Sequence, residues 1–190
     1  EITAYHEAGH ALVSHFLPKA DPVHKVSIIA RGQAGGYTLK VPIEDRHLHT
    51  KSEFVSELAV LLAGYLIEKD VFGEVTTGAT SDLRRATALA RRLVTDYGMS
   101  DNLGPRTYGE KEEMIFLGKE IHEQRDYSEK IAEKIDEEIT IFLEQATELA
   151  KEVFAKEKNN LEKIVEVLLK KETIEKEAFE KIVGPKPAQV

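Results

Sequence analysis

Residues 6–10 read His-Glu-Ala-Gly-His, and this run constrains the fold of the chain more than any other feature. Two histidines four residues apart point the same way on a helix, because 3.6 residues per turn place positions i and i+4 on one face. Both imidazoles can then reach one cation at the roughly 2.0–2.1 Å that zinc prefers. The run therefore predicts a metal-binding helix, which we expect over Ile2–Phe16 because Pro18 follows it.

Glu7 lies one step round that helix, beside a metal held by His6 and His10 but not on it. From there its carboxylate can take a proton from a metal-bound water that attacks a carbonyl group. The alternative is that the two histidines merely line a helix and that Glu7 is a surface charge. The small residues Ala8 and Gly9 leave room for close packing, which favours the metal-binding interpretation.

A catalytic zinc usually takes three protein ligands and keeps a fourth position open for water. The chain has no cysteine, so the third ligand must be His, Asp or Glu. Val13 and Phe16 exclude the zincins with a third histidine, and no acidic residue lies on a helix at the distance that thermolysin-like zincins use. Asp82 and Glu68 remain. Either could instead be an ordinary helix charge, and periodicity barely separates the two candidates.

Turn residues and apolar spacing divide the rest of the chain into short strands and longer helices. The expected strands are Val23–Ala30 and Gly36–Val41. One helix is expected from about Thr50 to Asp70 and a second from Ser81 to Tyr97, with Thr80 or Ser81 as its N-cap. The chain should be helical again from about Asp126 onward, with an interruption at Asn159-Asn160. The layout predicts a mainly α fold with a small β element (α+β). Residues 1–117 should form a peptidase core with the β-hairpin, 118–184 a helical region of the same domain, and 185–190 a tail.

Composition restricts the partners. The 190 residues are 42% hydrophobic and 32% charged, which is typical of a soluble globular protein, and no apolar run approaches the roughly 20 residues that span a bilayer. The net charge of -8 argues against nucleic acid, since phosphate binding requires clustered Lys and Arg. The chain begins without methionine, directly before its best motif, and therefore looks like a fragment of a longer protein.

Several segments, in order, resemble the proteolytic domain of the FtsH family of ATP-dependent, membrane-anchored zinc proteases. They are Tyr-His-Glu-Ala-Gly-His-Ala-Leu at 5–12, Gly-Gly-Tyr-Thr at 35–38, Leu-Ala-Gly at 62–64, Phe-Gly-Glu at 72–74, Thr-Thr-Gly-Ala at 76–79, Ser-Asp-Leu-Arg-Arg-Ala-Thr at 81–87 and Gly-Met-Ser-Asp-Asn-Leu-Gly-Pro at 98–105. The series covers residues 1 to about 109. One departure is Tyr65, where the family usually carries Arg.

The resemblance implies roles for the site residues. It makes Asp82 the third ligand of one zinc ion per chain, beside His6 and His10, with Glu7 catalytic and Glu68 supporting the site. The segment Gly36, Tyr37 and Thr38 resembles the family's edge strand, on which an extended substrate could pair by β-augmentation. It could equally be a plain structural hairpin.

The resemblance also implies the protein around the domain. The expected activity is zinc-dependent hydrolysis of unfolded or membrane-derived proteins, with an upstream ATPase module that threads them, a membrane anchor and a hexameric ring of identical chains. The full protein would be anchored in the bacterial inner membrane with this domain, itself soluble, facing the cytoplasm. Selectivity should be loose, because the sequence shows no charged specificity pocket. The alternatives are a zinc hydrolase of a non-protein substrate and a non-catalytic helical ring-assembly module.

Overall fold

The computed structural model describes residues 1–30, 35–40, 48–109 and 126–188. Its helices and strands, in chain order, are α1 (Ile2–Phe16), β1 (Val23–Ser27), β2 (Tyr37–Lys40), α2 (Lys51–Phe72), α3 (Thr80–Thr95), α4 (Glu129–Lys171), β3 (Thr173–Glu175) and α5 (Lys176–Val183). The predicted mainly α fold with a small β element is confirmed. The boundary predicted between 117 and 118 and the end of the strand predicted at Val41 lie outside the described residues.

Helix α1 has the predicted bounds and is buried over most of its length by α2 and α4. It approaches α2 closely at Gly9, where a β-carbon would lie 2.8 Å from Ile67 Cγ2. Helix α2 begins in a capping box between Thr50 and Glu53 and ends at Gly73, whose φ of 73° favours glycine. The two helices therefore form a tightly packed pair at the centre of the core.

Helix α4 covers the core with an apolar stripe that includes Ile135, Phe142 and Ala146. A break in this helix was predicted at Asn159-Asn160; the break is present, but its predicted position was wrong by two residues. The backbone leaves helical geometry at Glu157 (φ -114°, ψ 22°), and the chain is helical again from there to Lys171. Asn160 lies within the helix, where its side chain donates to Glu157.

The sheet has three antiparallel strands in the order β2-β1-β3. Strand β1 ends at Ser27, earlier than predicted, and pairs with both neighbours. Strand β3 was not predicted, because three residues between two helices carry too short a pattern to recognise. Strand β2 is at one edge and lies against α1, where Thr38 contacts Glu7. This position brings the sheet edge to the predicted metal site.

The segment after α5 lies against the C-terminal end of α1. The ammonium of Lys186 donates to the carbonyl oxygens of Ser14, His15 and Leu17 at 2.6, 3.0 and 2.8 Å. The carbonyls of Ser14 and His15 lie in the last turn of α1, where helix carbonyls lack a partner within the helix, and a cation is favourable at that end of the helix dipole. Residues 184–188 of the chain thus stabilise the end of α1.

No helix in the described part of the chain is long and apolar enough to cross a bilayer.

Candidate metal centre

The imidazoles of His6 and His10 face each other on α1, with their Nε2 atoms 3.0 Å apart. Helix α2 holds both rings from behind. The Nδ1 atom of His10 is 2.7 Å from the carbonyl oxygen of Val60, which can only accept, so Nδ1 carries the hydrogen. The Nδ1 atom of His6 donates likewise to the Glu68 carboxylate at 2.6 Å. Neutral rings held in this way direct both Nε2 lone pairs at the same point, and a cation there removes their mutual repulsion.

Asp82 completes this cluster from the first turn of α3. Its Oδ2 atom lies 3.5 Å from Nε2 of His6 and 3.4 Å from Nε2 of His10. A tetrahedral zinc with ligands at about 2.0–2.2 Å needs ligand atoms about 3.3–3.6 Å apart. Both distances from Asp82 lie in this range, and the 3.0 Å between the two Nε2 atoms is slightly shorter. The donor set therefore fits zinc, and in the described ranges it is the one group of three metal-ligating side chains whose ligand atoms converge.

Asp82 lies in the first turn of α3 as predicted, but the N-cap predicted for this helix was wrong. Neither Thr80 nor Ser81 is the N-cap of α3; Ala79 is, and its side chain makes no capping bond. A short 3-10 helix, Thr77–Ala79, runs directly into α3, and the side chain of Thr76 caps that helix instead. The helix start therefore shifts by one residue, and Asp82 remains in the first turn.

Glu68 lies outside the ligand cluster, with both carboxylate oxygens engaged. The residue is 1% exposed. Its Oε1 accepts from His6, and its Oε2 accepts from the backbone N–H of Thr76 at 2.7 Å. The sequence left open which group pairs with Glu68 when Tyr65 replaces the usual Arg. Its partners are His6 and Thr76, so this carboxylate holds the His6 ring in place and ties α2 to the segment before α3.

Gly64 provides the space for the His6 ring. A β-carbon at this position of α2 would lie 2.3 Å from Cε1 of His6, closer than any van der Waals contact allows. In the sequence, Gly64 was noted only within the Leu-Ala-Gly motif of the family resemblance, and no close approach was predicted there. A glycine in a helix interior costs stability, which is the signal that could have marked it as a close-approach position. The carbonyl of Val60 has no such signal, because every residue carries one.

Glu7 is buried beside the ligands and is held by β2. Its Oε2 accepts from the hydroxyl of Thr38 at 2.9 Å, and that hydroxyl is also 3.2 Å from the Glu7 backbone oxygen. A β-carbon at Gly36 would lie 2.9 Å from Glu7 Cγ, so a larger residue would displace the carboxylate. Two of the three residues predicted to bind substrate, Gly36 and Thr38, thus contact the predicted base. All three also line the same cleft.

The electrostatics of the cluster suit a cation. Burial raises the pKa of Asp82, but hydrogen bonds with His10 and His6 outweigh it and hold the pKa well below its usual range. Burial lowers the pKa of His6, and bonds with Asp82 and Glu68 outweigh it and raise the pKa. Burial raises the pKa of Glu7, more than nearby His10 and the Thr38 bond lower it. The site therefore keeps Asp82 anionic and draws positive charge toward the Nε2 atoms.

An open cleft of about 670 Å³ leads to these groups. It is bounded by α1, by β2, by the 76–78 loop and by the first turns of α3. The cleft gives an extended chain access to Glu7 and to the ligand atoms along the edge strand.

Comparison with known proteins places the chain among metallopeptidases. Residues 1–182 match the profile of Peptidase family M41. A protein of Thermomicrobium roseum named ATP-dependent zinc metalloprotease FtsH 1 is 52% identical over 187 residues, which are 98% of this chain and 29% of that protein.

Two further relatives carry the name ATP-dependent zinc metalloprotease FtsH. The one from Pseudothermotoga lettingae is 51% identical over 183 residues, 96% of this chain and 29% of that protein. The one from Thermotoga maritima is 49% identical over 191 residues, 96% of this chain and 31% of that protein. The chain thus spans about three-tenths of the length of the curated relatives it matches.

Proposed function

The chain belongs to peptidase family M41, and we propose that it is a zinc-dependent endopeptidase that hydrolyses peptide bonds within unfolded polypeptides. The match confirms the family resemblance found in the sequence, and the enzyme class is that of a metalloprotease hydrolase. One observation carries the proposal: three ligand atoms converge within 4.8 Å of one another, and a buried carboxylate lies beside them.

We assign one zinc ion per chain to His6, His10 and Asp82, with Glu68 orienting the first of them. When bound there, zinc would lower the pKa of a coordinated water and polarise the carbonyl group of the scissile bond. A structural zinc site is closed by four protein ligands, whereas three ligands leave a position open, as a catalytic site requires. The three-residue donor set therefore supports a catalytic role.

Glu7 is the general base of this proposal. Its carboxylate accepts a proton from the water as the water oxygen forms the new C–O bond to the carbonyl carbon. It then delivers that proton to the amide nitrogen, and the C–N bond breaks as the amine leaves. The hydroxyl of Thr38 fixes one oxygen of Glu7 and leaves the other to handle the proton. A buried carboxylate held in position by a hydrogen bond would have no role in a non-catalytic assembly module. The contact between Thr38 and Glu7 therefore argues against that alternative.

The substrate would lie along β2. This strand is at an edge of the sheet, and an extended polypeptide can add to such an edge by main-chain hydrogen bonds. Gly36, Tyr37 and Thr38 then form the binding edge, and Thr38 joins substrate docking to the orientation of Glu7. A substrate recognised through its main chain would be a polypeptide, which supports this proposal over a non-protein substrate.

The protein around this domain is proposed from its relatives. Their names describe ATP-dependent enzymes, and the chain spans about three-tenths of their length. An ATPase module and a membrane anchor would lie upstream, six copies would form a ring, and the domain would face the cytoplasm at the bacterial inner membrane. We assign 1–117 to the peptidase core, 118–184 to a helical region of the same domain and 185–190 to a tail. The packing of α4 on α1 and α2 supports one domain.

The experiment compares wild-type protein with Glu7→Gln in zinc content and in cleavage of an unfolded protein. The amide keeps the shape of the side chain but cannot take a proton, so Glu7→Gln should retain zinc and lose at least about a thousandfold in kcat. Retained cleavage would rule out Glu7 as the base. Loss of both zinc and cleavage from Glu7→Gln would show a structural role instead.

A further inference from the structure

Three cations line the proposed active-site cleft in addition to the metal-binding residues. Lys40 is the last residue of β2, and Arg84 and Arg85 follow Asp82 on α3. They approach the cleft from two separate elements, so the linear sequence gives no sign that they meet. They add positive charge to the cleft in a chain whose net charge is -8.

Lys40 and Arg84 form no salt bridge within the described part of the chain. Glu57, Asp21 and Asp82 act on Lys40 only through longer-range electrostatics. Elsewhere, Lys25 pairs with Glu175 at 2.6 Å. Lys40 and Arg84 are therefore available to an anion that enters the cleft.

Lys40 is partly buried, and burial lowers the pKa of its ammonium group. Withdrawing a cation from water costs free energy unless an anion pairs with it. Arg85 approaches Asp82 at 3.8 Å, a weak contact from a largely exposed side chain. An anion that enters the cleft would remove this cost at Lys40 and would meet Arg84 and Arg85 on the opposite wall.

The position of Lys40 on β2 defines which part of a substrate it meets. Side chains of a strand alternate between faces, so Lys40 shares the face of Thr38, which contacts Glu7. Two residues of strand span about 7 Å. A polypeptide extended along β2 would therefore bring to Lys40 a side chain about two residues from the bond that is hydrolysed beside Glu7.

We propose that Lys40, with Arg84 and Arg85, forms an anion subsite that binds a carboxylate of the substrate about two residues from the scissile bond. The ligand is the side chain of Asp or Glu, or the terminal carboxylate when cleavage falls near a chain end. This inference rests on the proposed peptidase function. It replaces the expectation of loose selectivity with a defined acidic preference.

The test uses the zinc-loaded chain and fluorogenic peptides that carry Glu, Gln or Lys at each position up to three residues on either side of the cleaved bond. All are blocked at both ends, and a second set has a free carboxyl terminus. At one position, kcat/KM should be about tenfold higher for Glu than for Gln and lower still for Lys. The free-terminus set shows whether the terminal carboxylate is accepted too.

Variants locate the subsite. Lys40→Met keeps the apolar stem and should bring the Glu and Gln peptides within about twofold of each other, and Lys40→Glu should invert the preference. Lys25→Met, on the neighbouring strand but paired outside the cleft, should leave the preference unchanged.

Equal rates for Glu and Gln at every position, or an undiminished preference in Lys40→Met, would overturn the subsite. Failure of the zinc-loaded chain to cleave any peptide, the neutral Gln series included, would instead overturn the peptidase function. The two failures are therefore distinguishable.

Discussion

Helix α1 carries three buried histidines, and two of them have surroundings opposite to those of the third. Carboxylates face His6 and His10, and they outweigh burial to raise the pKa of His6. His15, 2% exposed, packs against Phe179. Burial and the nearby ammonium of Lys186 lower its pKa to about 4. Burial alone therefore does not make a histidine a metal ligand. The sign of the charges around the ring separates a site from a core residue.

The largest expected effect is a pH-dependent loss of stability at the C-terminal end of α1, where the ammonium of Lys186 lies near His15. The pKa of His15 is about 4 in the folded chain against 6.5 for its ordinary value. Between these values the unfolded chain binds more protons, so the stability that His15 provides as a neutral ring is lost as the pH falls from 6.5 to 4. The loss should reach about 3 kcal/mol in the free energy of unfolding.

Chemical denaturation at several pH values measures this loss. His15→Leu should flatten the pH dependence over that window, because leucine cannot take up a proton. His24→Leu, on β1, makes the same change in composition and is the matched control. Equal pH dependence in the wild type and in His15→Leu would show that this end of the helix does not titrate.

Around His6, where carboxylates face the histidine, Glu68→Gln tests whether the orientation of the His6 ring affects zinc affinity. The amide retains the size of the side chain but weakens the bond to Nδ1, so zinc affinity should fall by about 10–100-fold. Competition with a zinc chelator measures this. Glu162→Gln, which alters a carboxylate bonded to Tyr5 on the same helix, should leave zinc affinity unchanged. Equal affinity in wild type and Glu68→Gln would mean that the carboxylate only supports the fold.

A smaller effect is expected at Thr38, which touches the base and not the ligands. Thr38→Val removes the hydroxyl and nearly keeps the shape, so kcat should fall about tenfold with zinc affinity unchanged. Thr38→Ser restores the donor and should recover most of the rate. If the serine variant is as slow as the valine variant, the contribution of Thr38 is packing and not its hydrogen bond to Glu7.

The sequence predicted those features that depend on local spacing. The bounds of α1 follow from its apolar period and from Pro18, and the pairing of His6 with His10 follows from the helical repeat. The start of α3 was missed by one residue because a 3-10 helix leads into it, and β3 was missed because three residues carry no period. The break in α4 was misplaced, since the residue at which a helix bends depends on the core beneath it.

The rest of the site depends on contacts between elements that are far apart in the sequence. Spacing could not separate Asp82 from Glu68, because the choice depends on how α2 and α3 pack around α1. The carbonyl of Val60 and the clearance at Gly64 hold the two histidines, and neither is visible as a side-chain motif. The resemblance to a family implied Asp82 as the third ligand, and the packing puts Asp82 among the converging ligand atoms and Glu68 against Nδ1 of His6.

The zinc content of purified wild-type chain and of Asp82→Ala, at matched free zinc, tests the central claim most directly. The wild type should hold about one zinc per chain. Asp82→Ala removes one of three ligands and should lose zinc at concentrations that saturate the wild type, while remaining folded. Zinc bound as tightly by Asp82→Ala as by the wild type, or no zinc bound by the wild type, would contradict the assignment of His6, His10 and Asp82 as a metal centre.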